Sequence, residues 1–99
     1  MEEVRISADA ETQLGLIRGW WIANRLAAPD LFDREFDTAV ARIASAPAAF
    51  PIYRRESGAD VRRVLLRRTR YAVYYAIEPD GVLIVAVGHT ARGSGPPLP

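Results

Sequence analysis

Residues 71–89 read YAVYYAIEPDGVLIVAVGH, two apolar runs of strand length joined by EPDG. Pro79 holds the second position of that turn and Gly81 the fourth, the signature of a type I turn, so a β-hairpin with Glu78 and Gly81 at its corners is predicted. Alternation along the first run places Tyr71, Val73, Tyr75 and Ile77 on one face, with Ala72, Tyr74, Ala76 and Glu78 on the other. VRRVLLRR precedes it and reads as a third strand. The predicted spans are Val61–Arg68, Arg70–Glu78 and Val82–His89, an antiparallel meander whose last strand ends at the chain's single histidine. Arginines interrupt these apolar strands repeatedly, and their place in a half-buried sheet needs a reason.

The N-terminal half is built differently. VRIS, Val4–Ser7, alternates apolar with polar residues and meets a good N-cap in Ser7, so a short strand hands over to a helix. From Ala8 to about Ala27, the residues Ala10, Leu14, Ile17 and Trp21 fall on one helical face and are expected in the core. Leu16, Trp20 and Ile22 lie outside that stripe, giving the helix more apolar circumference than one contact surface requires. Pro29 breaks the run and starts a second helix, in which Phe32, Phe36, Val40 and Ile43 recur at helical spacing. Asp33, Arg34, Glu35 and Asp37 are assigned to its outside. YRRESGAD, Tyr53–Asp60, is polar, contains a glycine and reads as a loop; ARGSGPPLP cannot continue a strand, which makes residues 90–99 an irregular tail. The plan is α+β: an N-terminal strand, an antiparallel helix hairpin, then the three-stranded meander with one face under the helices.

A chain of 99 residues makes one domain, residues 1–99, with one core. It has no cysteine, which removes disulfides and thiolate chemistry, and neither a metal nor a cofactor is expected. The acidic N-terminus and the lack of any apolar run near the ~18 residues that span a bilayer predict a cytoplasmic protein with no membrane partner. Its net charge of +1 conceals an asymmetry: Met1–Tyr53 carries five arginines against eight acids, a net of −3, and Arg54–Pro99 eight against four, a net of +4.

Two segments, WWIANRLAAPDLFDREFDTAVARIASAP and VRRVLLRRTRYAVYYAIEPDGVLIVAVGHTARG, together resemble the RelE/ParE superfamily of bacterial type II toxin–antitoxin toxins. They look like its helix hairpin, arginine-rich strand, tyrosine-bearing strand, turn and V-x-H-x-x-R ending. Among RelE-like members, which cut mRNA on the ribosome, the resemblance implies an arginine at the position of Ala72 and a tyrosine where this chain has GSGPP. Arg70 lies one strand repeat before that position, roughly 6.6 Å away, and His89 one residue before the family's histidine. Fixed charge is kept without a clear acid–base pair, so the closer likeness is to the ParE branch, the plasmid-stabilisation toxins that act non-catalytically by binding DNA gyrase and trapping its cleaved complex.

The resemblance thus implies a toxin that is not an enzyme, held in a hetero-oligomer by a cognate, ParD-like antitoxin. Arg67, Arg68, Arg70, His89 and Arg92 are the expected target-binding residues. Leu16, Trp20 and Ile22 are the expected antitoxin-binding residues. Two alternatives stand beside this reading: a RelE-like endoribonuclease with a rearranged site, and a non-toxic nucleic-acid-binding module in which arginines meet phosphates and tyrosines stack bases.

Overall fold

The computed structural model describes residues 1–56 and 58–91. Its elements are β1 (Val4–Ile6), α1 (Ala8–Asn24), α2 (Leu31–Ser45), a 3₁₀ turn (Pro47–Ala49), β2 (Ile52–Glu56), β3 (Ala59–Leu66), β4 (Tyr71–Glu78) and β5 (Gly81–His89). The five strands form one sheet in the order β1-β5-β4-β3-β2. Its centre is the expected meander, antiparallel throughout, but the sheet is mixed and larger than predicted. On one side β1 runs parallel to β5, with Val4 opposite Val82 and Ile6 opposite Ile84.

On the other side, Tyr53–Asp60 is not a loop. Most of it belongs to a hairpin in which β2 pairs with β3, Arg55 opposite Asp60 and Glu56 opposite Ala59. The polar composition that suggests a loop is what an edge strand tolerates, since main-chain pairing on one side holds it and its side chains need not alternate into a core. The strand expected at Val61–Arg68 accordingly begins two residues earlier and stops at Leu66. Arg67 and Arg68 leave the sheet and, with Thr69 and Arg70, form the turn into β4.

Both helices cover one face, α1 over β5 and α2 over β3. Ser7 caps α1 as its sequence position predicts, its Oγ accepting from Ala10 N at 3.1 Å. The helix stops at Asn24, short of Ala27, and Arg25 N–H closes its last turn on Trp21 O at 2.9 Å. Leu14, Trp21, Phe32, Phe36 and Ile43 from the helices meet Val64, Leu66, Val73, Tyr75, Val82, Ile84 and Val87 from the sheet. Tyr75, fully buried, donates its hydroxyl to Pro47 O and so ties the 3₁₀ turn to the sheet centre.

The opposite face carries a smaller cluster, Val61, Ala72, Tyr74 and Ala86, with Tyr53 and Val85 against it. The predicted alternation holds along β4. On β5 it is broken by a bulge: Tyr74 faces Ala86 while Tyr75 faces Ile84, so Val85 is the extra residue and Val87 returns to the helix side. Two strand arginines are explained here. Arg62 donates to Ala48 O and Phe50 O at 3.2 and 2.7 Å, holding the segment that leads into β2. Arg63 lies over the Tyr53 ring, 4.9 Å from its centroid, and Tyr53 in turn packs edge-on against Tyr74.

Candidate functional site

The turn at residues 67–70 is held from across the fold. Glu35, on α2, accepts from Arg68 N at 3.0 Å, from Thr69 N at 2.9 Å and from Thr69 Oγ1 at 2.8 Å. Partial burial by itself would raise the Glu35 pKa. The Arg68 and Thr69 donors and the Arg68 charge outweigh it, holding the carboxyl below the ordinary glutamate range. Arg70 closes the turn in the left-handed conformation, φ 68°, with its N–H on Leu66 O at 2.9 Å. Its carbonyl accepts from both Thr90 N and Thr90 Oγ1 at 2.8 Å. A non-glycine residue in this region costs roughly 1 kcal/mol.

Glu35→Gln should therefore cost about 1–2 kcal/mol at neutral pH, allowing for the solvent the carboxylate still reaches. A depressed native pKa contributes stability that is complete above the unfolded-state value and disappears as pH falls through the native one. Denaturant melts of wild type and variant should thus differ at pH 7 and converge in acid. A gap independent of pH would show that the carboxylate charge does not hold the turn.

Between this turn, α1 and the end of β5 lies a cleft of about 860 Å³. Leu16, Trp20 and Trp21 form its apolar wall; Arg25, Arg68, Arg70 and His89 carry its positive and titratable groups. Leu16 is 72% exposed and Trp20 45%, the two rings of Trp20 and Trp21 meet edge-on at 5.8 Å, and Arg25 lies over Trp20 at 5.0 Å. Tyr71 packs edge-on between Phe32 and His89, at 5.2 and 4.9 Å. The His89 Nδ1 accepts from Ala91 N at 3.1 Å. The buried Trp21 Nε1–H has no acceptor among the described residues. Nor does any carboxylate among them line this cleft.

The structure brings Leu16, Trp20, Arg68, Arg70 and His89 together, uniting residues that the sequence reading divides between two partners. Ile22 does not join them: at 100° per residue it lies about 200° around α1 from Trp20 and is exposed. Arg67 faces a second, smaller groove. Arg92 lies outside the described residues. Asp60 pairs with Arg55 at 3.3 Å. Among the described residues the side chains of Arg67, Arg68 and Arg70 form no ion pair.

Sequence reasoning misses two contributors. Arg25 follows the helix, where only the tertiary fold shows what it faces. Glu35 has the pattern of a solvated helix face, and nothing at that position announces a turn more than thirty residues later.

The chain matches the family model described as the ParE toxin of the type II toxin–antitoxin system parDE, over residues 4–93. No curated protein sequence matches it.

Proposed function

The chain belongs to the ParE toxin family of type II toxin–antitoxin systems, and from that premise we propose that it inhibits growth by binding DNA gyrase without catalysis, and is neutralised when a cognate antitoxin fills the cleft beside α1. One observation carries this reading: an exposed apolar wall, Leu16 and Trp20, faces Arg68 and Arg70 across a single cleft. Such a surface fits a segment that is apolar on one side and acidic on the other. The left-handed backbone of Arg70 is a cost that folding alone does not require, since glycine would fit there more easily.

Cleavage of RNA asks for a general base, a general acid and fixed charge around the phosphate. The cleft supplies the charge. Among the described residues Tyr71 and His89 are the only lining side chains of the general acid–base type apart from arginine, and Tyr71 is wedged between two rings. That arrangement supports binding over catalysis. Expression alone and with the neighbouring reading frame, scoring growth, DNA breaks and transcript cleavage, tests the reading. Growth arrest with DNA breaks, relieved by the neighbour, is expected. Codon-dependent transcript cuts abolished by Arg70→Ala or His89→Ala would replace it with a rearranged RelE-like nuclease.

The two apolar positions of α1 make separate predictions. Trp20→Asp should weaken capture of the antitoxin by about thirtyfold or more, the scale of an aromatic hot spot worth ~2 kcal/mol. Ile22→Asp, on the other side of the helix, should change it by less than about threefold. Titration calorimetry on the co-purified pair separates the two; equal losses would place the antitoxin around the whole helix.

A further inference from the structure

The smaller groove, about 310 Å³, runs between α2 and the end of β3, and the toxin reading leaves it without a role. Arg34, Thr38 and Arg42 form one side, spaced four residues apart on α2 and so about 6 Å apart along the helix. Arg67 and Arg68 form the other. Four arginines thus face one carboxylate, Glu35, whose oxygens already take three donors from the turn. Arg34 also meets Asp30 at 3.4 Å, but both groups are well exposed and such a pair contributes little. Arg42 rests its guanidinium over the Phe50 ring at 5.1 Å, which positions the group without neutralising it.

We propose that this groove binds the phosphate backbone of nucleic acid. An acidic protein is the other possible source of negative charge, and the geometry is less suited to it. Both edges of β3 are already paired, with β2 and β4, and the turn amides of Arg68 and Thr69 are occupied by Glu35. A peptide in the groove therefore finds few main-chain donors, whereas phosphates need only side-chain donors, which arginine supplies in a fork that matches them. The row along α2 and the pair opposite grip charges presented at intervals, as a polyphosphate backbone presents them. Contacts of this kind position a nucleic acid and read no sequence, and no base-stacking platform is required.

The inference does not depend on gyrase being the target, although a toxin that traps a protein–DNA complex would meet duplex DNA there. The test uses the full chain and a labelled duplex of arbitrary sequence, with affinity followed against salt. Binding that neutralises three or four phosphates gives a log–log slope of about −3 to −4. Arg34→Gln/Arg42→Gln should reduce that slope by about 2 and Arg67→Gln by about 1, while Arg25→Gln/Arg70→Gln in the larger cleft leaves it unchanged. In wild-type protein the duplex should protect Arg34, Arg42 and Arg67 from phenylglyoxal, a readout that requires no variant to fold. Absence of salt-dependent binding overturns the proposal. So does loss of binding through Arg25→Gln/Arg70→Gln alone, or displacement of the duplex by polyglutamate at equal charge concentration, which would assign the groove to an acidic protein.

Discussion

If gyrase is the target, as proposed, Arg68→Glu/Arg70→Glu is expected to abolish its inhibition while leaving a folded protein. Neither side chain has an ion-pair partner among the described residues, so little native structure is lost with them. At a target interface each charge-assisted contact is worth about 1.5–3 kcal/mol, and losing two raises the inhibitory concentration by about 10²–10⁴-fold. Reversal adds repulsion against any acidic partner surface. The Arg70 backbone is held by Leu66 and Thr90 through its main-chain atoms, which any side chain leaves in place. A carboxylate introduced at position 68 would stand near Glu35 and weaken its hold on the turn, so a stability loss within ~1 kcal/mol is expected, not unfolding. Supercoiling and cleaved-complex assays on wild type, the double variant and a chain ending at Thr90 check this, the last removing Arg92. Equal activity of all three would move the target contact off this cleft. Growth arrest by a wild type inert toward gyrase would require another target.

Gly81→Ala should be strongly destabilising. Gly81 has φ 144°, a conformation that side chains rarely adopt, and an added Cβ would lie 2.5 Å from Glu3 O. That oxygen is the acceptor for Val82 N at 2.8 Å, and Glu2 N bonds Ala44 O at 2.9 Å just before it. Relief therefore means shifting the lead into β1 and disturbing the contacts that dock it beside β5. Backbone strain of ~1–3 kcal/mol and a damaged hydrogen bond worth ~1 kcal/mol give about 2–4 kcal/mol. For a domain of this size that lowers Tm by roughly 10–25 °C. Gly15→Ala and Gly19→Ala are the controls. Both sit in α1 with open space at the Cβ, and each should stabilise by ~0.5–1 kcal/mol. A calorimetric scan in which all three variants behave alike would show that the Glu3 contact does not constrain the turn.

The residues legible from sequence are those whose signals are local. EPDG names its own turn, Ser7 its own cap, and alternation puts Tyr71, Val73 and Tyr75 on one face, which the structure shows to be the helix side. The helical stripe Ala10, Leu14 and Trp21 is buried as its spacing requires. Alternation carries β3 too far, through Arg67 and Arg68, because the pattern has no natural stop there; the stop comes from Glu35, which draws the amides of Arg68 and Thr69 out of the ladder. β2 is invisible because an edge strand is held by its neighbour's main chain, which no side-chain pattern reports. Leu16, Trp20 and Ile22 are recognisable as excess apolar surface, yet which of them share a site depends on where the sheet lies relative to α1.

Periodicity, turn chemistry and capping thus determined the two helices, the central meander and which residues of each share a face. These act over a few residues and are written in neighbouring positions. Tertiary structure alone decided that five strands form one mixed sheet, that Arg68, Arg70 and His89 stand opposite Leu16 and Trp20, and that Arg67 faces away from them into the groove lined by Arg34 and Arg42. These are juxtapositions between segments distant in the chain. They arise when hydrophobic burial brings α1, α2 and the sheet together, and an exposed cation carries no local mark of the neighbour it will acquire.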